Sequence, residues 1–229
     1  MDRIKLLTVL SKKPTAVIPW YLTGGIATAS CVAAYKAKGA ADLAASYDNL
    51  TGNATYDITT AAAPDWDAIN GWKFTGNTGK DYLNTAVVPA DTTWSMVVRY
   101  AGHVASMTYA NIATAQTTAG GVKTFGFGSY RPSTRYISNG GTKSIATGIW
   151  AAAGVIAICN RNFYVDGSLV ANDIPAGTAP PVAIFIGAAD LAGSVDVVTY
   201  IYANIQAVAI YSADISSNIA ALTEAMAAL

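Results

Sequence analysis

The pattern of apolar and polar positions predicts four consecutive β-segments in the second half of the chain. The most specific segment is Asn162–Val170, in which Asp166 and Gly167 separate two short runs of aromatic and aliphatic residues. Asp-Gly favours a type I′ hairpin turn, because both central residues of that turn need positive φ. These segments indicate an antiparallel sheet, and the other three lie at residues 154–159, 183–187 and 202–211.

The β pattern continues towards the N-terminus. Trp72 and Phe74 alternate with polar neighbours, as in a half-buried strand. A first strand is expected within residues 26–35, and further candidate strands lie at residues 94–100, 125–130 and 135–141.

Two stretches have helical spacing instead. Residues 38–50 place Ala40, Leu43, Tyr47 and Leu50 on one face, which predicts a short helix in the N-terminal third. The chain closes with a predicted helix from about Asp214 to Ala228, whose apolar stripe is formed by Ile219, Leu222, Met226 and Leu229.

Composition favours a protein that assembles. Apolar residues make up 52% of the 229 residues, whereas charged residues make up 12%, about half of the roughly 25% that is usual in soluble domains. Contiguous exposed apolar surface usually marks an interface, so other copies or other chains are expected partners. The alternative is a large core rich in Ala and Gly under a neutral surface of Thr, Ser and Asn.

Charge and hydropathy exclude two kinds of partner. The net charge is zero and no basic run is present, so the field that attracts nucleic acid is missing. Residues 14–35 carry no charge at all, but their prolines and glycines make a poor membrane-spanning helix. The apolar run at residues 6–10 is too short for a secretory signal.

The order of the motifs resembles a known superfamily. A strand with a glycine turn (Phe74 to Gly76) is followed by Trp94-Ser95, then by Tyr164-Val165-Asp166-Gly167, and last by the strand that ends at Ile210-Tyr211. This order resembles the concanavalin A-like lectin/glucanase superfamily, which includes the laminin G-like domains. The resemblance implies an all-β, two-sheet antiparallel jelly roll at residues 26–229, preceded by an N-terminal arm at residues 1–25. The chain departs from the family at Ala203-Asn204, where members often have a glycine.

A narrower resemblance concerns bacteriophage and prophage virion proteins. It is carried by Ser46 to Leu50, by Ala63 to Asp67 and by residues 34–41. It implies a virion-associated structural protein, assembled in a bacterial cytoplasm, whose partners are other virion chains or copies of itself and whose adhesion face contacts host surface glycans.

Glycoside hydrolysis is a third function that the superfamily implies, but the number of glutamates in this chain disfavours it. The glucanase branch uses two glutamates in a Glu-x-Asp-x-x-Glu strand, and hydrolysis of this type needs a carboxylate on each side of the scissile bond. Glu224 is the one glutamate in the sequence, and it lies in the predicted terminal helix. The sequence therefore predicts no enzymatic function.

Candidate glycan-binding residues are aromatics and carboxylates in loops or at strand ends. A sugar ring stacks on an aromatic face, and its hydroxyls need directional partners. Asp65 and Asp67 would share one face of a strand beside Trp66, although turn formation after Pro64 is the alternative. The further aromatic candidates, for which a place in the core or an interface is the alternative, are Tyr82, Tyr130 and Tyr136.

Other reactive residues lack a supporting pattern. His103 is the lone histidine and is expected on the surface or in a loop. Cys31 and Cys159 are expected to be buried and unreactive, with a disulfide between them as the alternative. No cofactor is implied. Calcium sites are common in the superfamily, but Asp190 and Asp196 show no recognisable ligand spacing, so no metal ligands are assigned.

The leading hypothesis is a non-enzymatic virion component with a lectin-like jelly roll. The alternative is a free carbohydrate-binding lectin module.

Overall fold

The computed structural model describes residues 17–76, 81–104, 109–117, 124–130, 135–145, 151–191, 194–195 and 201–229. Within these ranges the chain is mostly β, with one C-terminal helix, α1 (Ile219–Ala227). The strands are β1 (Cys31–Lys36), β2 (Asp65–Asp67), β3 (Gly71–Thr75), β4 (Leu83–Asn84), β5 (Ser95–Ala101), β6 (Tyr109–Gln116), β7 (Thr124–Tyr130), β8 (Arg135–Asn139), β9 (Gly141–Ile145), β10 (Gly154–Cys159), β11 (Asn162–Val165), β12 (Ser168–Ala171), β13 (Phe185–Ile186), β14 (Ala189–Leu191), β15 (Ser194–Val195) and β16 (Tyr202–Tyr211).

Sheet A contains eight of these strands and is organised around β16. Its order is β12-β11-β10-β5-β16-β3-β2, and β1 also pairs with β16. The first half of β16 pairs with β3 and the second half with β1, while its other edge follows β5. The register between β16 and β5 shifts at Gln206, so this residue is the extra residue of a β-bulge.

Sheet B contains the other eight strands. Its main path is β15-β14-β6-β7-β8-β9, and β13 joins β4 to β6. Neighbouring strands are antiparallel except β14 and β6, which are parallel. The prediction of a β-protein with two mainly antiparallel sheets and a C-terminal helix is therefore confirmed.

The main core lies between the two sheets. Sheet A contributes Val98, Ile156 and Val208, which stand in one register row, and sheet B contributes Phe125 and Phe127. All five are fully buried. Alternation along each strand produces this face, since successive side chains point to opposite sides of a sheet.

A second core lies on the other face of sheet A. Val97, Ala157 and Ala209 form the opposite row of the same strands, and Leu222 and Met226 of α1 pack on them. Small side chains in the sheet let the helix lie close to it. Sheet A is therefore apolar on both faces, which is why its strands are near-continuous apolar runs.

The central hairpin forms as its sequence predicts. Asp166 has φ 46° and Gly167 has φ 78°, as a type I′ turn requires. The strands predicted at residues 154–159 and 202–211 match β10 and β16, and residues 125–130 and 135–141 form the β7–β8 pair. The segment predicted at 183–187 is shorter, since only Phe185–Ile186 is a strand.

The predicted helix at residues 38–50 was wrong. Only Ala45–Tyr47 forms a single 3-10 turn there. Local side-chain bonds replace helical ones: Asp42 accepts a hydrogen bond from the backbone N–H of Ala45, and Ser46 donates its hydroxyl to the carbonyl of Leu43. Ser and Asp favour such turns over helix interiors.

His103 lies in a loop, one of the two expected placements, but its side chain is buried, with 8% of its surface accessible. The two cysteines are buried, unpaired thiols, and burial raises the pKa of Cys31 and of Cys159 to about 12. Of the N-terminal arm, residues 1–16 lie outside the described ranges. Trp20 and Tyr21, which follow them, pack against the second core.

Candidate functional site

The predicted Asp65-Trp66-Asp67 motif forms β2, the edge strand of sheet A. Asp67 is occupied by structural contacts: its carboxylate lies 2.5 Å from the Lys73 ammonium and accepts hydrogen bonds from Asn70 and from the backbone N–H of Ile69. These bonds, led by the one from Lys73, hold the pKa of Asp67 well below its usual range. Asp67 thus stabilises the turn between β2 and β3.

Trp66 is half-buried against the main core. Its indole N–H donates to the carbonyl of Ala37 at 2.9 Å. The polar atom of the ring is therefore used inside the protein, and only part of the ring surface is accessible.

A second patch consists of Asp65, Asp81 and the next residue in the chain, Tyr82. Asp65 is exposed, while Asp81 and Tyr82 are half-exposed. Partial burial, and secondarily the charge of Asp65, raise the pKa of Asp81, so the two carboxylates lie within electrostatic reach of each other. The Tyr82 ring stacks on buried Phe185 with centroids 4.9 Å apart and an interplanar angle of 19°.

This patch is chemically suited to a sugar. Phe185 supports one face of the Tyr82 ring, so the ring keeps its orientation without a ligand. Rigid aromatic platforms bind with little loss of side-chain entropy, and the neighbouring carboxylates accept hydrogen bonds from hydroxyls. Asp81 was not among the predicted residues, because nothing in the local sequence shows that it meets Asp65.

Tyr130 and Tyr136 lie elsewhere, in sheet B. The backbone of Tyr130 pairs with Tyr109, and that of Tyr136 pairs with Gly128. Two strands, β13 and β6, separate β4 from β7, which places these tyrosines at least ~14 Å from the end of β4 at an ordinary strand spacing. The six predicted residues therefore do not form one site.

Asp190 belongs to β14 by its backbone, and Asp196 lies outside the described residues. Within the part of the chain that the structure describes, no three His, Cys, Asp or Glu residues group closely enough to hold a metal ion. The same residues include no helix that is long and apolar enough to cross a membrane.

Sequence reasoning missed a polar cleft on the helix-covered face of sheet A. It has a volume of about 370 Å³, and Arg99, Asp166 and Gln206 supply its polar side chains. A second cleft of about 500 Å³ shares Asp166 with it and continues along α1 past Glu224. Clefts of roughly 300–1,000 Å³ are of the size that holds small ligands.

A weak sequence signal for this cleft exists. Arg99 is the single charge in the strand at residues 94–100, and Gln206 lies, with Asn204, in an otherwise apolar run. In the structure, Arg99 donates one N–H to the carbonyl of Met226 at 2.7 Å, and burial lowers its pKa. Polar residues that interrupt buried strands are the signal that could have found the site.

No family model matches this chain, and no curated protein matches it significantly. Solved structures of Trypanosoma rangeli sialidase share its fold. The sialidase in complex with sialic acid superposes with a TM-score of 0.64 at 17% identity, over 95% of this chain and 36% of that chain. For a mutant of this sialidase displaying trans-sialidase activity, the TM-score is 0.60 at 19% identity, over 88% of this chain and 34% of that chain. This chain thus spans about a third of the length of these sialidases.

This comparison corrects the leading functional hypothesis. The proteins that share the fold are sialidases, which are glycoside hydrolases, and not virion components. The expectation of a non-enzymatic virion structural protein was therefore wrong. A count of glutamates does not bear on enzymes of that kind, because sialidases use a tyrosine nucleophile.

Proposed function

We propose that this chain is a carbohydrate-binding module with a concanavalin A-like jelly roll, and that it works together with a glycoside-cleaving unit. Residues 26–229 would form the module and residues 1–25 an arm that leads into it. The two antiparallel sheets and the fold shared with one third of a sialidase support this proposal.

The observation that carries the proposal is the half-exposed Tyr82, which stacks on Phe185 and follows Asp81 in the chain. Asp81 in turn lies within electrostatic reach of Asp65. Stacking on an aromatic face and hydrogen bonds to carboxylates are the two interactions that a sugar ring needs. Since the ring is supported by Phe185, binding there requires no rearrangement of the aromatic pair.

A glycan array followed by calorimetry tests this function. The array includes sialylated glycans, because the similar sialidases are described in complex with sialic acid. We expect Tyr82→Ala to reduce binding roughly tenfold or more, since an aromatic contact contributes about 0.5–1.5 kcal/mol beyond the area that it buries. Tyr82→Phe keeps the ring and should keep most of the affinity.

The carboxylates are tested in the same assay. Asp81→Asn should weaken binding, because an amide accepts fewer hydrogen bonds from sugar hydroxyls than a carboxylate does. Asp48→Asn, at an exposed aspartate of a different loop, is the matched control. If wild-type protein bound no glycan, or if Tyr82→Ala bound as well as wild type, the proposal would be wrong.

A further inference from the structure

Gln206 is a buried amide without a protein partner. It is 7% exposed, and its side chain makes no hydrogen bond to the rest of the described chain. Its backbone carbonyl, in contrast, accepts hydrogen bonds from the N–H groups of Ala37 and Lys38. The β-bulge at Gln206 thus fixes the backbone and leaves the amide at the wall of the 370 Å³ cleft. Bulges often redirect a side chain in this way at binding sites.

Arg99 has unused donors in the same cleft. One N–H binds the Met226 carbonyl, and the guanidinium has five in total. Among the described residues, no carboxylate lies within ion-pair distance of the Arg99 guanidinium. Arg99 is therefore held in place by the end of α1 while most of its N–H groups remain available.

Asp166 supplies an acceptor in the same cleft. One carboxylate oxygen accepts the backbone N–H of Val155 at 2.8 Å, which fixes the side chain over Gly154. A Cβ at Gly154 would lie 3.1 Å from that same oxygen, so the glycine lets the carboxylate approach the strand. The second oxygen has no hydrogen-bond partner among the described residues.

The charges around the cleft select against an acidic ligand. Arg99 is the one cation among the described lining residues of the two clefts, whereas Asp166 and Glu224 are both anions. The last carbonyls of α1 also point towards this end, and a helix C-terminus carries a partial negative charge of about −0.5. A carboxylate would meet net repulsion, but an uncharged hydroxyl can accept from Arg99 and donate to Asp166.

We infer that this cleft is a binding subsite for an uncharged, hydroxyl-rich ring such as a hexopyranose, in which Arg99 and Gln206 donate hydrogen bonds and Asp166 accepts them. The subsite uses the ligand class of the proposed function but a different surface from Tyr82. A negative result at one of these two sites therefore leaves the proposal for the other site standing.

Amide NMR spectra of the full chain provide the test. The probes are methyl β-D-glucopyranoside, methyl β-D-galactopyranoside and methyl α-D-mannopyranoside, with N-acetylneuraminic acid as the acidic probe, all at millimolar concentration. At least one neutral glycoside should shift the signals of Gly154, Asp166 and Gln206, and N-acetylneuraminic acid should shift them less. If no neutral glycoside shifts these signals, or if the acidic sugar shifts them more, the inference is overturned.

Two variants assign the binding residues. Gln206→Leu should lower affinity roughly tenfold by removing a buried hydrogen-bond group. It should leave the melting temperature unchanged, because the amide makes no hydrogen bond to the described residues. Arg99→Lys keeps a donor for the Met226 carbonyl but loses the planar fork, and should lower affinity roughly fivefold.

Asn204→Leu, two residues earlier on β16 and outside the cleft lining, is the matched control. Equal affinity of Gln206→Leu and wild type would refute the role of the amide. A response at the cleft without one at Asp81 or Tyr82 would refute the Tyr82 site alone.

Discussion

Two buried side-chain amides in this protein have opposite roles. The side-chain amide of Gln206 makes no hydrogen bond in the described chain, whereas the amide of Asn49, which is 5% exposed, makes four. Asn49 accepts from the N–H groups of Ala34 and Thr51 and donates to two backbone carbonyls. It thereby connects a loop to the edge of β1 that β16 leaves unpaired. Asn49-Leu50-Thr51 matches a glycosylation sequon, but the Asn49 amide is buried and used inside the protein.

We predict that Asn49→Asp lowers the free energy of unfolding by about 1–3 kcal/mol. The carboxylate has the same shape, but it cannot donate to the carbonyls of Val32 and Asn53, and a buried group without its partner costs about that much. Urea unfolding measures the change. Asn53→Asp, at an exposed position, should change stability far less; an equal loss in both variants would contradict the role of Asn49.

His103 should make stability depend on pH. Its Nδ1 is buried without a partner, its ring meets the edge of Tyr100, and burial lowers its pKa. The unfolded chain, with a His pKa near ~6.5, takes up a proton first as the pH falls. Stability is therefore complete above that value and is lost as the pH falls through ~6.5 towards the lower pKa of the folded state.

His103→Phe removes this titration and keeps the ring contact with Tyr100. We expect the decrease in unfolding free energy between neutral and mildly acidic pH to be smaller in the variant than in wild type. Urea titrations at a series of pH values measure both curves, and parallel curves would show that His103 does not titrate on unfolding.

At the scale of elements, α1 covers a sheet face that would otherwise be apolar and exposed. Ile219, Leu222 and Met226 are buried on it, and the Arg99 guanidinium binds the Met226 carbonyl near the helix end. The side chain of Asp214 accepts from the N–H of Ser216 just before the helix. A nine-residue helix is marginal alone, so packing on sheet A stabilises it.

Leu222→Ala should therefore lower the free energy of unfolding by about 2–5 kcal/mol. Leu222 is fully buried in the second core, and truncation leaves a cavity between α1 and the sheet. Hydrogen exchange should accelerate in α1 more than in β5. Glu224→Ala, on the exposed side of the same helix, is the control, and a similar loss in both variants would contradict this packing.

At the scale of the molecule, the apolar composition is explained by two cores rather than by a large exposed surface. Sheet A buries apolar side chains against sheet B on one face and against α1 on the other. The expected self-association therefore needs a more specific surface. The edge strand β12 provides one, because Leu169 is 53% and Val170 is 45% exposed beside unpaired backbone groups.

We predict weak, concentration-dependent self-association through β12. Leu169→Lys should abolish it, since a charged side chain on an edge strand opposes pairing with another strand. Sedimentation velocity at several concentrations measures the association. Ile69→Lys, which places the same charge at an exposed aliphatic residue in a turn, should leave it unchanged. A wild-type protein that is monomeric at every concentration would contradict the prediction.

Local features of this protein follow from its sequence alone. The hairpin at residues 162–171 forms where Asp-Gly permits two positive φ values, and β10 and β16 form where apolar runs have the length of strands. The terminal helix follows from its apolar stripe. In each case the local pattern and turn chemistry are enough to predict the element, although packing on sheet A stabilises the helix.

The tertiary structure decided the rest. Residues 38–50 have helical spacing, but the edge of β1 binds Asn49 and the helix does not form. Arg99, Asp166 and Gln206 meet only because β5, a hairpin turn and a bulge in β16 converge beside α1. Likewise, Asp81 comes within electrostatic reach of Asp65, where the segment before β2 binds the backbone of Tyr82 through Thr60 and Ala62. Such contacts join residues far apart in the chain, and no local pattern records which strands become neighbours.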